Sequence, residues 1–335
     1  MFRSFFRWIA PALFCLLALG WAACTSDTDA DNGSTTTEPV TRTPVKVPSF
    51  NRDSAYAFVE RQVAFGPRVV NTPAHAATRR YLVEQLKSFG LEVTEQNFTA
   101  TAYTGEKLNS TNIIARYKPA AARRVMLFAH WDSRPFADSP LNEGDKTAPV
   151  LGADDGASGV GVLLEIARLL QDNPLDRGID IVLLDAEDYG DSGGDPETYA
   201  LGAQYFARNL PAGPRPEYGI LLDMVGAKNA RFPVEAYSIQ FAPEVVRSVW
   251  GLADQMGLGN YFVPENGGAI TDDHYFINTI AGIPTIDIIN RTNNTETGFG
   301  AHWHTDGDDM SVIDSRTLRA VGQVVLAVIY RDLVM

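Results

Sequence analysis

Five side chains that can bind a metal recur along the chain, each after a largely apolar run. They are His130, Asp155, Asp188, Asp223 and His304. Because the strand ends of a parallel α/β sheet converge on one edge, residues far apart in sequence can meet there. Imidazoles and carboxylates brought together in this way form a zinc site. The pattern therefore predicts a zinc enzyme.

The adjacent acids Glu187 and Asp188 end the segment IVLLDAED and are the most informative pair. Neighbouring side chains point in different directions, so one carboxylate can bind the metal while the other faces the substrate. A free carboxylate beside a cation serves as a general base and then returns the proton as a general acid. The alternative is a solvated acidic pair at a strand end, which the four similar motifs disfavour.

The other polar candidates have structural alternatives. Asp155 could cap the helix that follows it, and capping is an equally good explanation for Asp273. An acid in the position of Asp132, two residues after His130, can orient a metal-binding imidazole. Asp287 lies inside an apolar strand pattern, so we expect it to be buried within the same polar network.

Helix and strand signals alternate along the chain. They predict one α/β domain with a central mixed, mostly parallel sheet and helices on both faces. Asn51 and Thr72 are the expected N-caps of the first two helices. Further helices are predicted near 160–170, 243–256 and 315–334, and strands near 91–99, 108–118, 125–128, 179–184, 218–224 and 283–289. Two Gly-rich loops, 189–198 and 290–307, are expected to form pocket walls.

Residues 1–24 have the composition of an export signal, with a basic start, a short apolar run and small residues at the end. The apolar run is shorter than the roughly 20 residues of a membrane span. Cys24 resembles the acylated cysteine of bacterial lipoproteins, although Trp21 stands where that motif usually has an aliphatic residue. Ordinary cleavage near Ala22 or Ala23 is the alternative. Both predict an exported protein, periplasmic and lipid-anchored in the first case.

Residues 25–47 are rich in Thr, Ser, Asp and Pro and predict a disordered linker, which leaves 48–335 as the catalytic domain. Both cysteines, Cys15 and Cys24, lie in the signal, so the mature domain has no disulfide or thiol chemistry. Removal of residues 1–24, with two arginines and no acid, changes the net charge from −13 to −15. A net negative charge disfavours nucleic acid as a partner.

With these residues in view, the chain resembles the zinc-dependent aminopeptidase-like superfamily, and within it the glutaminyl-peptide cyclotransferases, or glutaminyl cyclases. The matching segments follow the family order over nearly the whole mature domain. They are FGPR, AHWDSR, GADDGASGVGVLLEIAR, DAEDYG, LLDMVGAKNARFP, TDDHYF, GIPTIDII and WHTDGDD.

The resemblance implies one catalytic zinc held by Asp155, Asp188 and His304, with Asp188 at a position often filled by Glu. It implies that Glu187 is the proton shuttle. The implied substrates are peptides and proteins with an N-terminal glutamine, which cyclises to pyroglutamate with loss of ammonia.

The same resemblance implies an acidic hydrogen-bonded network of Asp223 and Asp272 beside the shuttle. Ile270, Phe299 and Trp303 fall where the family builds its apolar substrate pocket. The first Gly-rich loop lacks the tryptophan that animal members carry in that region.

Two other functions stay open at this point. A two-zinc aminopeptidase of the same superfamily would bind a second metal through His130 and Asp223, bridge the two ions with Asp155, and use Glu187 to activate water. Since all five ligand positions are present, counting ligands does not separate the two enzymes. A lipoprotein binding module on a degenerate hydrolase fold would require the loss of a ligand or of Glu187, and none is lost.

Overall fold

The computed structural model describes residues 46–331. The predicted export signal at 1–24, including Cys24, and residues 25–45 of the predicted linker lie outside the described residues, as do the last four residues of the chain. Val47, at the end of the predicted linker, packs against the main hydrophobic core. No helix in the described range is long and apolar enough to cross a membrane.

The predicted N-caps of the first two helices are confirmed. The side chain of Asn51 accepts hydrogen bonds from two backbone amides of the first turn, and that of Thr72 accepts one. The helices are α1 Arg52–Val63, α2 Pro73–Ser88, α3 Ala157–Asp172, α4 Leu201–Arg208, α5 Ala236–Phe241, α6 Pro243–Gln255, α7 Asp273–Phe276 and α8 Ser315–Arg331. A π-helical turn, Ile277–Ala281, continues α7.

A six-stranded sheet with the order β1-β2-β4-β3-β5-β8 forms the centre of the fold. The pairs β1–β2 and β2–β4 are antiparallel and the other three are parallel, which confirms the predicted mixed, mostly parallel sheet. The strands are β1 Glu92–Thr101, β2 Lys107–Tyr117, β3 Arg124–His130, β4 Gly178–Leu184, β5 Gly219–Asp223, β6 Phe232–Val234, β7 Phe262–Asn266 and β8 Thr285–Ile289. Strands β6 and β7 form a separate parallel pair that the sequence analysis did not predict.

Helices cover both faces of the sheet, as predicted. Because side chains alternate along a strand, β3 contributes Val125, Leu127 and Ala129 to the main core, which also contains residues of α1, α2, α3, α6 and α8. The intervening Met126 and Phe128 belong to a smaller core with residues of α4 and α7. A central strand that is buried on both faces explains the continuous apolar run in this segment.

The parallel strands bring the candidate ligands to one edge of the sheet. His130 and Asp223 are the last residues of β3 and β5, and Asp188 lies in the loop after β4. His304 lies in the long loop between β8 and α8, within the predicted Gly-rich loop 290–307. Asp155 lies in the turn that precedes α3.

Candidate metal centre and substrate pocket

Asp155, Asp188 and His304 form a buried group that fits a metal ion. Nε2 of His304 lies 3.0 Å from Oδ1 of Asp188 and 3.6 Å from Oδ2 of Asp155. The three ligand atoms lie within 4.8 Å of one another. Oδ2 of Asp188 is buried and has no hydrogen-bond partner among the described residues, a costly state that a cation would relieve. Two carboxylates and an imidazole are a donor set suited to zinc.

A second group shares Asp155. Nε2 of His130 lies 3.0 Å from Oδ1 of Asp155 and 3.3 Å from Oδ1 of Asp223. These three ligand atoms also lie within 4.8 Å of one another. Asp132 lies behind His130, with its Oδ1 atom 3.5 Å from Nδ1 of the ring, in agreement with the predicted orienting contact.

The turn before α3 leaves the side chain of Asp155 free for a ligand. The N-cap of α3 is Gly156, and no side chain in the described part of the chain caps this helix, so Asp155 is not the cap that the sequence analysis offered as its alternative. Gly156 has a φ of 94°, and a Cβ atom there would lie 2.7 Å from the carbonyl oxygen of Asp132. The turn therefore requires glycine.

Three non-glycine residues at the site have left-handed backbone conformations. They are Ala186, Met224 and His304, with φ values of 54°, 48° and 54°. Ala186 directly precedes Glu187, and Met224 directly follows Asp223. Strain of this kind concentrates at functional sites, where the surrounding structure fixes the direction of a side chain.

Two buried carboxylates hold the backbone of the candidate ligands. The carboxylate of Asp132 accepts hydrogen bonds from the amides of Glu187 and Asp188, both at 3.1 Å. Asp308 accepts from the amides of Asp154 and Asp155, at 2.8 Å and 3.1 Å. The sequence analysis did not identify these backbone contacts, because their partners are distant in sequence.

Arg134 and Asp138 contact two of the candidate metal ligands, Asp188 and His304. Arg134 forms a two-pronged ion pair with Asp138, at 3.1 Å and 2.7 Å, and donates to the carbonyl oxygen of Asp188 at 3.0 Å. Oδ1 of Asp138 lies 3.5 Å from Nδ1 of His304. Burial raises the pKa of Asp138, but His304 and Arg134 outweigh this effect and hold the pKa well below its usual range. The sequence analysis did not identify Asp138.

Three acids that line the pocket, Glu187, Asp223 and Asp272, hold their protons more tightly than exposed carboxyls do. Burial raises the pKa of Glu187 well above its usual value, and the charges of Asp188 and Asp272 add to this effect while His130 opposes it. Burial likewise raises the pKa of Asp223 to about 6 and that of Asp272 to about 6. A carboxyl group with a raised pKa is suited to proton transfer near neutral pH.

Asp272, and not Asp273, caps α7. The side chain of Asp272 accepts a hydrogen bond from the amide of Asp273, which is the first helical residue. The capping role considered for Asp273 is therefore wrong. Asp287 is fully buried on β8, as predicted, and its Oδ2 atom lies 3.9 Å from Nδ1 of His274.

Glu235 is a buried carboxylate that the sequence analysis missed. It caps α5, where the amide and the hydroxyl of Ser238 donate to it at 2.6 Å and 2.9 Å. It also accepts from the amide of Ile270 at 3.1 Å and lies 2.9 Å from Nε2 of His274. This single side chain therefore connects α5, α7 and the loop that carries Ile270.

A pocket of about 310 Å³ opens beside the metal group, and every predicted metal ligand of the one-zinc site lines it. Glu187, Asp223 and Asp272 line it as well. Ile270, Phe299 and Trp303, the three predicted apolar residues, form a wall. The rings of Phe299 and Trp303 stack at 4.7 Å, and those of Trp303 and His304 at 3.7 Å.

Both predicted loops contribute to the pocket. Pro196 lines it from the first loop, and Tyr199 lines it from the residue directly after that loop. Arg291 and Phe299 line it from the second loop. The guanidinium carbon of Arg134 lies 5.5 Å from the centre of the Tyr199 ring. The same arginine donates to the carbonyl oxygen of Asp188, so it contacts both the pocket wall and a candidate metal ligand.

Comparison with known proteins places the chain in a family. The family model of Peptidase family M28 matches residues 112–329. A crystal structure of Bacteroides thetaiotaomicron glutaminyl cyclase bound to N-acetylhistamine is 50% identical, with a TM-score of 0.83, and covers 86% of this chain and 100% of that chain. A Zn-dependent exopeptidase from Parabacteroides distasonis is 50% identical, with a TM-score of 0.83, and covers 85% of this chain and 99% of that chain.

A curated relative, the glutaminyl-peptide cyclotransferase of Drosophila melanogaster, is 28% identical over 277 residues, which are 75% of this chain and 73% of the relative. The resemblance and the fold inferred from the sequence motifs are thereby confirmed. The chain belongs to peptidase family M28 and, within it, to the glutaminyl cyclases.

Proposed function

We propose that the protein cyclises the N-terminal glutamine of peptides and proteins to pyroglutamate and releases ammonia, with one zinc ion as cofactor. The observation that carries the proposal is the convergence of Asp155, Asp188, His304 and Glu187 in one pocket with an apolar wall. The 50% identity to a bacterial glutaminyl cyclase over most of the chain supports it.

Asp155, Asp188 and His304 are the proposed zinc ligands. All three line the pocket, whereas the buried His130 of the second group does not, so a metal held by the first group meets the substrate. Zinc supplies Lewis acidity there, which makes the γ-carbonyl carbon of the glutamine more electrophilic. In the one-zinc enzyme, His130 links Asp155 and Asp223 by hydrogen bonds.

Glu187 is the proposed proton shuttle. It takes a proton from the substrate α-amine, whose nitrogen attacks the γ-carbonyl carbon and closes the five-membered ring. The bond from that carbon to the side-chain amide nitrogen then breaks, and Glu187 returns the proton to the departing ammonia. Asp272 helps to hold the pKa of Glu187 high, and we propose that Asp223 belongs to the same acidic network.

Ile270, Phe299 and Trp303 are the proposed substrate-binding residues. An apolar wall excludes water and holds the glutamine side chain in the curled form in which amine and γ-carbonyl meet. Because the amine and the γ-carbonyl belong to one molecule, binding the curled form removes the bond rotations that separate them, and this proximity supplies much of the rate. The pocket of about 310 Å³ accommodates the terminal residue and excludes the rest of a folded substrate.

The second candidate is a two-zinc aminopeptidase, favoured by the His130, Asp155 and Asp223 group that shares a ligand with the first. Incubation of the purified protein with a Gln-initiated and a Leu-initiated peptide separates the two activities. We expect ammonia from the Gln peptide and an intact Leu peptide. Release of a free N-terminal amino acid would instead establish the peptidase.

We further propose that the protein is exported and attached to a bacterial membrane by acylation of Cys24. The composition of residues 1–24 and the polar segment after them support this proposal. Its partners are then peptide substrates outside the cytoplasm, with membrane contact only through the anchor. Labelled fatty acid should enter the wild-type protein in cells, and Cys24→Ala should abolish both the label and membrane association.

A further inference from the structure

Arg291 lies in the wall of an otherwise acidic pocket. Among the described residues that line this pocket, it is the one arginine or lysine. The carboxylates that line the same space are Asp155, Glu187, Asp188, Asp223 and Asp272. A cation in these surroundings has a strong local effect on which charged groups can enter.

The guanidinium of Arg291 is half-buried but forms no ion pair with a carboxylate in the described part of the chain. The guanidinium lies beside Gly298 and over the ring of Phe299, whose centre is 4.4 Å from the guanidinium carbon. By contrast, the neighbouring Arg231 pairs with Glu265 at 2.9 Å. Burial lowers the pKa of Arg291, while Asp287 and Glu235 oppose this effect. A partly desolvated cation without a partner favours an anionic ligand.

Arg291 stands at the edge of the pocket. It lines both the catalytic pocket and an adjacent surface cleft that contains Asn293 and Asn294. In the proposed reaction, the amine and side chain of the terminal glutamine point inward, toward Glu187 and the metal ligands. The carbonyl group of that residue and the second residue of the peptide must therefore lie toward the pocket edge.

We propose that Arg291 is a specificity-determining residue that binds the carboxylate of an acidic side chain at the second position of the substrate. This inference rests on the proposed function and names the substrate class that the enzyme prefers. A planar guanidinium binds a carboxylate through two parallel hydrogen bonds. The pocket acids and a chain net charge of −13 would otherwise repel acidic peptides.

The test compares kcat/KM for three peptides that begin Gln-Glu, Gln-Ala and Gln-Lys and are otherwise identical. The enzymes are the wild type, Arg291→Met, Arg291→Lys and the control Arg208→Met, whose exposed arginine lines neither the pocket nor the cleft. We expect the wild type to prefer Gln-Glu, and Arg291→Met to lose about tenfold of that preference, mainly through KM. Arg291→Lys should keep part of the preference and Arg208→Met all of it, and added salt should weaken it in the wild type.

Two results would overturn the inference alone. One is a wild-type enzyme that cyclises all three peptides equally well. The other is an Arg291→Met variant that loses activity on all three by the same factor, which assigns Arg291 a packing role against Phe299. Failure of the wild type to cyclise any of the peptides would overturn the proposed function and this inference with it.

Discussion

The carboxylate of Asp138 lies 3.5 Å from Nδ1 of His304, while Nε2 of the same ring lies 3.0 Å from Asp188. One side of the imidazole therefore faces a fixed acid and the other faces the metal group. Arg134 holds Asp138 in place through two hydrogen bonds. A carboxylate behind a histidine fixes the tautomer and the orientation in which the ring binds a metal.

Asp138→Asn should weaken zinc binding by about 10- to 100-fold, because a neutral amide orients the ring less firmly and no longer raises the basicity of His304. A competition titration with a chelator measures the zinc affinity, and excess zinc should restore most of the activity. Asp145→Asn is the control, since within residues 46–331 its side chain hydrogen-bonds only to Thr147, on an exposed loop. Equal zinc affinity in wild type and Asp138→Asn would contradict this role.

Glu187→Gln should retain zinc and lose about 10²- to 10⁴-fold in kcat, because the amide cannot transfer the proton. Metal analysis of the purified variant, together with its turnover of a Gln peptide, checks both parts. The neighbouring Asp188→Asn is the matched control and should lose zinc as well as activity. If Glu187→Gln loses its zinc, the roles of Glu187 and Asp188 are wrongly assigned.

Glu235→Gln should lower the free energy of unfolding by about 2 kcal/mol at neutral pH, because His274 loses a charged partner. Burial raises the pKa of Glu235, but His274 and backbone amides outweigh it and lower the pKa overall. A lowered pKa contributes stability above the unfolded value of about 4.3, and this contribution is lost as the pH falls through the folded value.

The wild-type and Glu235→Gln curves should therefore approach each other below about pH 4. Denaturant unfolding of the metal-free proteins across this range provides the measurement. Glu265→Gln, which removes an exposed partner of Arg231, should change stability by less than about 1 kcal/mol. A difference that stays constant down to low pH would show that the charge of Glu235 is not responsible.

Arg68→Met should destabilise the protein by about 3 kcal/mol or more, since it leaves several buried carbonyl groups without a donor. The guanidinium of Arg68 is fully buried and donates to the carbonyl oxygens of Trp131 and Gly152, at 2.8 Å and 2.7 Å, and to that of Leu151. Burial lowers its pKa to about 10, so it stays charged at neutral pH.

Unfolding of the Arg68→Met protein with guanidinium chloride measures this loss of stability directly. Arg208→Met is the control, because Arg208 is exposed and its side chain hydrogen-bonds, among the described residues, only to Gln204. That substitution should change the free energy of unfolding by less than about 0.5 kcal/mol. An equally small change in the free energy of unfolding for Arg68→Met would contradict this role. It would mean that water satisfies the buried carbonyl groups as well as the guanidinium does.

The elements that the sequence predicted correctly carry their own local signals. Strands β3, β4, β5 and β8 have apolar runs that are buried on both faces of the sheet, and α1 and α2 begin with capping side chains. The missed helix α4 follows Ala200, an N-cap residue in a left-handed conformation, and no side chain in the described range caps it, so its sequence has no start signal. Strand β6 has three residues, too few for a visible alternation.

The site residues likewise divide into those with a local sequence signal and those without one. Asp155 precedes a predicted helix, and Glu187 and Asp188 follow a predicted strand, so each of these functional acids is recognisable from its neighbours in the sequence. Asp138 and Glu235 act through His304 and His274, which are remote in sequence, and their own segments contain no pattern that indicates burial. Such contacts follow only from the tertiary fold.

The most direct test of the proposed intramolecular cyclisation uses a Gln-initiated peptide in water enriched in heavy oxygen. Since the attacking atom is the α-amine nitrogen of the substrate, the product should be a pyroglutamyl peptide without solvent oxygen, formed together with one ammonia per peptide. Mass spectrometry measures both. A free N-terminal glutamine that contains heavy oxygen would instead show hydrolysis of the peptide bond and would contradict the account.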